Sequence, residues 1–151
     1  LPAGEGANAL HAGSFVWADL SAGDFSSTSD NQFLIQSVGN VGINTNTPTS
    51  ALHVNGPIAT HVATIAGSAT LTAANSVALV SSTPATITIP AASTCPGRQI
   101  TVKKIDGGPG AVTVLSAGGT IDGAIIFSLS ASNKYVTVVS DGANWFVIAN
   151  N

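Results

Sequence analysis

Apolar and polar residues alternate along this chain in short runs, and turn residues interrupt nearly every run. Period-two stretches bounded by Gly, Pro, Asn, Asp and Ser read as β-strands. From residue 76 the alternation is regular, with runs at 76–81, 85–89, 99–105, 111–115, 124–129, 134–140 and 145–149. Turn-rich segments at 90–97, 106–110, 117–119, 130–133 and 141–144 separate them. In Thr86-Ile87-Thr88-Ile89 the isoleucines are expected to face a core and the threonines to face outward. Val136 and Val138 are expected to do the same, with Tyr135 and Thr137 opposite. About seven such strands predict a β-sandwich, of jelly-roll-like type, or a small barrel.

The earlier half is less regular. Its apolar pieces, at 15–18, 33–37, 41–43 and 51–54, are too short to form a stable sheet alone. Gly39-Asn40 is a tight-turn candidate because both residue types tolerate positive φ. Residues 7–11 are the one stretch read as a helical turn, and the Ala/Thr-rich stretch 56–74 reads as a linker or crossover strand. The expected organisation is all-β: a fibre or shaft-like segment over 1–58, stabilised by neighbouring chains, then a sandwich head over 59–151.

Composition sharpens this. Of 151 residues 44% are hydrophobic and only 7% are charged, against about 25% charged in an ordinary soluble domain. No run approaches the ~18 apolar residues of a membrane span, so membrane insertion is not expected. The surface must then be built of Ser, Thr, Asn and Gly, with little like-charge repulsion to oppose self-association. A net charge of −3 gives no footprint for nucleic acid. The charges are uneven: Glu5, Asp19, Asp24 and Asp30 precede Thr60 with no Lys or Arg, whereas Arg98, Lys103, Lys104 and Lys134 follow it beside Asp106, Asp122 and Asp141. The chain begins at Leu1 and contains no Met, which reads as a piece of a longer protein.

Candidate chemistry is sparse. His11, His53 and His61 are the only histidines, and none lies in a G-x-S-x-G or similar nucleophile motif. His53, alternating between Leu52 and Val54, is a weak metal candidate. Asp24, Asp30 and Asn31 offer oxygen ligands without the Asp/Asn alternation and final Glu of a calcium loop. Asp106, Asp122 and Asp141 stand at Gly-containing turns, where backbone geometry explains them. Cys95, the single cysteine, excludes an intrachain disulfide; before Pro96-Gly97 it reads as a small buried apolar residue. No catalytic residue and no cofactor is assigned.

Exposed aromatics flanked by hydrogen-bonding residues are the groups that stack on sugars. Trp17, Tyr135, Trp145 and Phe146 are the ligand-binding candidates. Trp145 and Phe146 are neighbours in one strand, so one of them must face outward.

Two sets of residues carry a resemblance. Phe15-Val-Trp-Ala-Asp19, Asn31-Gln-Phe-Leu-Ile35, Gly39-Asn-Val-Gly-Ile43 and Ala51-Leu-His-Val-Asn-Gly56 resemble a segment of phage tail fibres and large bacterial surface proteins, often found ahead of an intramolecular chaperone domain. Ile87-Thr-Ile-Pro90, Cys95-Pro-Gly-Arg98, Ile100-Thr-Val-Lys-Lys-Ile105, Gly119-Thr-Ile-Asp-Gly123, Val136-Thr-Val-Val-Ser-Asp-Gly142 and Asn144-Trp-Phe146 are similar to a module of phage tail and head fibres. The resemblance implies an intertwined homotrimer, placed on a virion or a bacterial cell surface, that attaches to a host receptor or glycan without catalysis. The Ser/Lys autoproteolytic site of the chaperone domain has no match here. A glycan-degrading spike enzyme with its site between subunits, and a purely structural spacer, are the alternative expectations.

Overall fold

The computed structural model describes residues 7–19 and 24–151. Glu5, one of the early acids, lies outside them. The described residues form an all-β structure with one short 3-10 turn, at Ala92–Thr94. The chain divides into two compact units, Leu1–Ile58 and Ala59–Asn151.

In the first unit, β1 (Ala7–Asn8), β2 (Phe15–Ala18), β3 (Phe25–Ser26) and β4 (Phe33–Gln36) wind as two stacked turns of a coil. β1 lies parallel to β3 with Ala7 opposite Phe25, and β2 lies parallel to β4 with Phe15 opposite Phe33. The offset is the same in the connecting loops. Ala12 N–H donates to Asp30 Oδ1 and Gln32 N–H to Ser14 Oγ, each pair 18 positions apart. Gly13 and Asn31 hold the equivalent left-handed position in successive turns, at φ +70° and +59°. A side chain on Gly13 would run into that of Asn31, so the upper corner needs glycine and the lower uses asparagine. The helical turn expected over 7–11 is instead strand β1 and a bend, because Ser27 takes the backbone N–H groups of Leu10 and His11 that a helix would need.

Next come β5 (Val41–Ile43) and β6 (Leu52–Val54), a shorter parallel pair. Asn44 and Asn55, 11 positions apart, exchange side-chain amide to backbone carbonyl bonds of 3.1 and 3.2 Å. At the expected Gly39-Asn40 turn it is Asn40 that adopts positive φ, at +70°.

The second unit starts with the same winding rule. β7 (Val62–Ile65), β9 (Val77–Val80) and β11 (Gln99–Lys104) are parallel neighbours in one sheet. β8 (Ala69–Thr70), β10 (Ala85–Ile89) and β12 (Val112–Ser116) are parallel neighbours in the other. The stretch 56–74 thus supplies two strands rather than a linker alone. After β12 the chain switches to antiparallel pairing: β13 (Ile126–Leu129) on β12, β14 (Tyr135–Ser140) on β11, and β15 (Trp145–Asn150) on β14. The sheets run β13-β12-β10-β8 and β15-β14-β11-β9-β7. Two sheets share one core, but their parallel pairs depart from the antiparallel Greek keys of a jelly roll.

The core follows the alternation. Ile87, Ile89, Val112 and Val114 from one sheet meet Val80, Ile100, Val102, Val136 and Val138 from the other. Full burial of each such side chain is worth about 1.5–3 kcal/mol. The first unit has no equivalent: among its described residues only Val16 and Ala18 are buried apolar side chains.

Candidate functional site

The first unit turns most of its described large apolar side chains outward. β2 and β4 are parallel and in register, so Phe15 and Phe33 fall on one face with Trp17 and Ile35 in the next row, while Val16 and Ala18 point the other way. The two phenylalanine rings stack with centroids 4.9 Å apart. All four outward residues are exposed, Phe33 by 70% and Trp17 by 38%. Leu10, Val38, Ile43 and Leu52 in the same unit are exposed as well. Sequence reasoning selected Trp17 and missed Phe15 and Phe33. The signal was present as the repeat of Phe15-Val-Trp17 in Phe33-Leu-Ile35, which aligns on the coil offset.

The two remaining aromatic candidates on the surface lie on the outer face of the five-stranded sheet. Tyr135 is half-buried and opposite Lys103. Phe146 is 44% exposed and opposite Val139, with exposed Ile148 further along β15. Trp145 is a correction. The outward member of the Trp145–Phe146 pair is Phe146; the indole of Trp145 is wholly buried and donates to Pro90 O at 3.0 Å. It is a core residue and has no face to offer a ligand. The buried N–H needs that carbonyl, which is why the largest side chain of the core sits beside the Pro90 turn.

Two of the three histidines, His11 and His53, are held by local side-chain contacts. His53, in β6 opposite Gly42, accepts the Thr49 N–H at Nδ1, 3.3 Å away. Among the described residues no three His, Cys, Asp or Glu side chains gather to hold a metal. His11 makes a contact the sequence did not disclose: its Nδ1 lies 3.0 Å from Ser27 Oγ. The serine oxygen already accepts N–H bonds from Leu10 (2.9 Å) and His11 (3.1 Å), so its hydroxyl proton goes to Nδ1. Ser27 is almost fully buried. These bonds lock two turns of the coil together.

The acids divide. Asp141 accepts the N–H groups of Asn144 and Ala143, at 2.7 and 2.8 Å, and these bonds hold its carboxyl below the usual carboxylate value. Asp122 sits in a turn at φ +47°. Asp106 does more than shape a turn. It pairs with the ammonium of Lys104, whose side chain is wholly buried, and accepts the Thr83 hydroxyl. The hydrogen bond from Lys104, then that from Thr83, pulls the Asp106 carboxyl below its usual range. Lys104 Nζ also reaches Gly108 O at 2.8 Å and Asp106 O at 3.2 Å. The buried charge is thus surrounded by oxygens, as an isolated ammonium there would not be tolerated.

Cys95 is partly buried against the core, with Sγ 3.5 Å from Ala91 O. Arg98 extends to the carbonyls of Thr72 and Asn75. No helix among the described residues is long and apolar enough to cross a membrane. No protein-family model matches the chain, and no match is found among curated proteins.

Proposed function

We propose that this chain is a non-catalytic module of a homotrimeric viral fibre or spike that attaches the particle to a receptor or glycan on its host. One observation carries the proposal: most of the large apolar residues described in the first unit are exposed. The two buried apolar side chains among its described residues are too few to order a segment of this length, since ordering the backbone costs about 1–2 kcal/mol per residue. The exposed ladder of Phe15, Trp17, Phe33 and Ile35 supplies the missing apolar area once copies of the chain cover it. A surface with few charges offers little repulsion between copies.

Further support comes from the winding. In the first unit β1–β3 and β2–β4 pair in parallel at one offset of 18 positions, the repetitive stacking expected of a fibre-like segment. Phe146 and Tyr135 on the outer sheet face are the surface aromatics of the second unit and the first places to seek a receptor contact. Sedimentation of the chain at dilute concentration tests the assembly: a trimer is expected, and a clean monomer overturns it. A glycan array probed with the same sample tests attachment, and uniform silence across it leaves only the role of a spacer.

A further inference from the structure

We infer that a depression at one end of the four-stranded sheet is a binding site for a neutral saccharide, an inference that rests on the attachment reading above. The cavity measures about 360 Å³ and is lined by Ser68, Pro84, Ala85, Thr86, Ala111 and Thr113. That is near the lower end of the ~300–1,000 Å³ typical of ligand sites and suits a single sugar ring.

The lining follows from strand geometry. Thr86 and Thr113 are direct partners on the parallel strands β10 and β12. Their neighbours Ala85, Ile87, Val112 and Val114 point into the core, so both hydroxyls point out. Ser68 stands beside them, its Oγ accepting the Thr86 N–H at 2.9 Å and its proton left to donate. Ser128, opposite Thr113 on β13, extends the row. Hydroxyls on adjacent strands recur at about 4.8 Å, close to the separation of alternate equatorial oxygens around a pyranose ring. Pro84 and Ala111 supply a small apolar patch for the C–H face of such a ring. None of the six lining residues is charged, so nothing in the site compensates an ionised ligand.

The walls are held rigid, and this gives the buried lysine a purpose. Thr83, next to Pro84, is tied to Asp106 at 2.5 Å, and Lys104 Nζ binds Gly108 O at 2.8 Å. Gly110, next to Ala111, packs so closely that an added Cβ would lie 2.7 Å from Pro84 N. The segments carrying Pro84 and Ala111 are therefore pinned to each other from behind. A site fixed before the ligand arrives loses less ordering entropy on binding.

The test is a titration of the ¹⁵N-labelled full chain with glucose, galactose, mannose, N-acetylglucosamine and rhamnose, with sialic and glucuronic acids as charged probes. At least one neutral sugar is expected to shift the amides of Ser68, Thr86 and Thr113, and the charged probes are expected not to. Thr113→Val keeps shape and strand propensity, and should weaken binding about tenfold by removing a ligand-facing hydroxyl. Ala111→Leu, filling the cavity from a half-exposed position, should abolish it. Absence of shifts here with every neutral sugar overturns the inference, as does binding undiminished in both variants. Host-cell attachment that persists in both variants without shifts at these amides overturns the site and leaves the attachment reading standing. A chain that is monomeric and fails to attach, yet shows the shifts, supports the site and sinks the attachment reading instead.

Discussion

Phe15 stacks on Phe33 with ring centroids 4.9 Å apart and planes 12° from parallel, the two residues facing each other across one strand register. Both rings remain largely exposed. A stacked pair of this kind contributes about 0.5–1.5 kcal/mol within one chain, much less than the apolar area it leaves open to water.

In the proposed trimer, covering that area between subunits would be worth more, at about 25 cal/mol per Å². The double variant F15S/F33S is therefore expected to shift association at least about tenfold toward monomer, a change of ~1.4 kcal/mol. The unfolding midpoint of the second unit should stay where it is. Sedimentation velocity with parallel thermal melts checks both, and an unchanged oligomer would remove this face from the interface.

Ser27 ties the turn of the coil holding β1 to the turn holding β3. Ser27→Ala leaves the Leu10 and His11 N–H groups without their acceptor, a loss of about 1–3 kcal/mol. The effect should be local. Hydrogen exchange at the amides of Leu10 and His11 is expected to accelerate, while exchange in β10 and β12 stays at its original rate.

Acid should loosen the loop behind the four-stranded sheet. The folded-state pKa of Asp106 is depressed below its ordinary value of 3.8 by the hydrogen bonds from Lys104 and Thr83. A depressed carboxylate contributes stability that is fully present above the unfolded value and is lost as pH falls through the folded one. Denaturant midpoints of the native chain should thus drop on acidification below about pH 4, a window set by the unfolded carboxylate. Asp106→Asn should lower the midpoint at neutral pH and flatten this acid limb. A variant with the same acid limb as the native chain would show that the pair does not control it.

Trp145 and Trp17 differ in environment, which makes them separable by fluorescence. Trp145→Ala empties a wholly buried site and should cost about 3–5 kcal/mol. Trp17→Phe should leave a blue-shifted emission that acrylamide quenches poorly, because the remaining indole is the buried one. Strong quenching in Trp17→Phe would contradict the placement of Trp145.

Parts of the candidate surfaces were legible and parts were not. Tyr135, Trp17 and Phe146 could be selected as aromatics in alternating runs, since alternation assigns every second residue to the same face. It could not say which face of Trp145-Phe146 was the inner one, because both residues suit a core. The Ser68–Thr86–Thr113 depression was invisible, for Ser68 lies far from Thr113 in sequence and the three meet only through parallel pairing.

The sequence by itself determined that the chain is all-β, which residues of β10 and β14 face inward, and where most turns fall. Those are local properties, governed by a two-residue period and by backbone preferences at Gly, Asn, Asp and Pro. Only the tertiary structure decided that successive strands alternate between two sheets and pair in parallel, that Lys104 is buried against Asp106, and that Ser27 receives His11. Each of these joins groups through long-range register, and the free energy that fixes register comes from packing across the sheets, which no window of sequence contains.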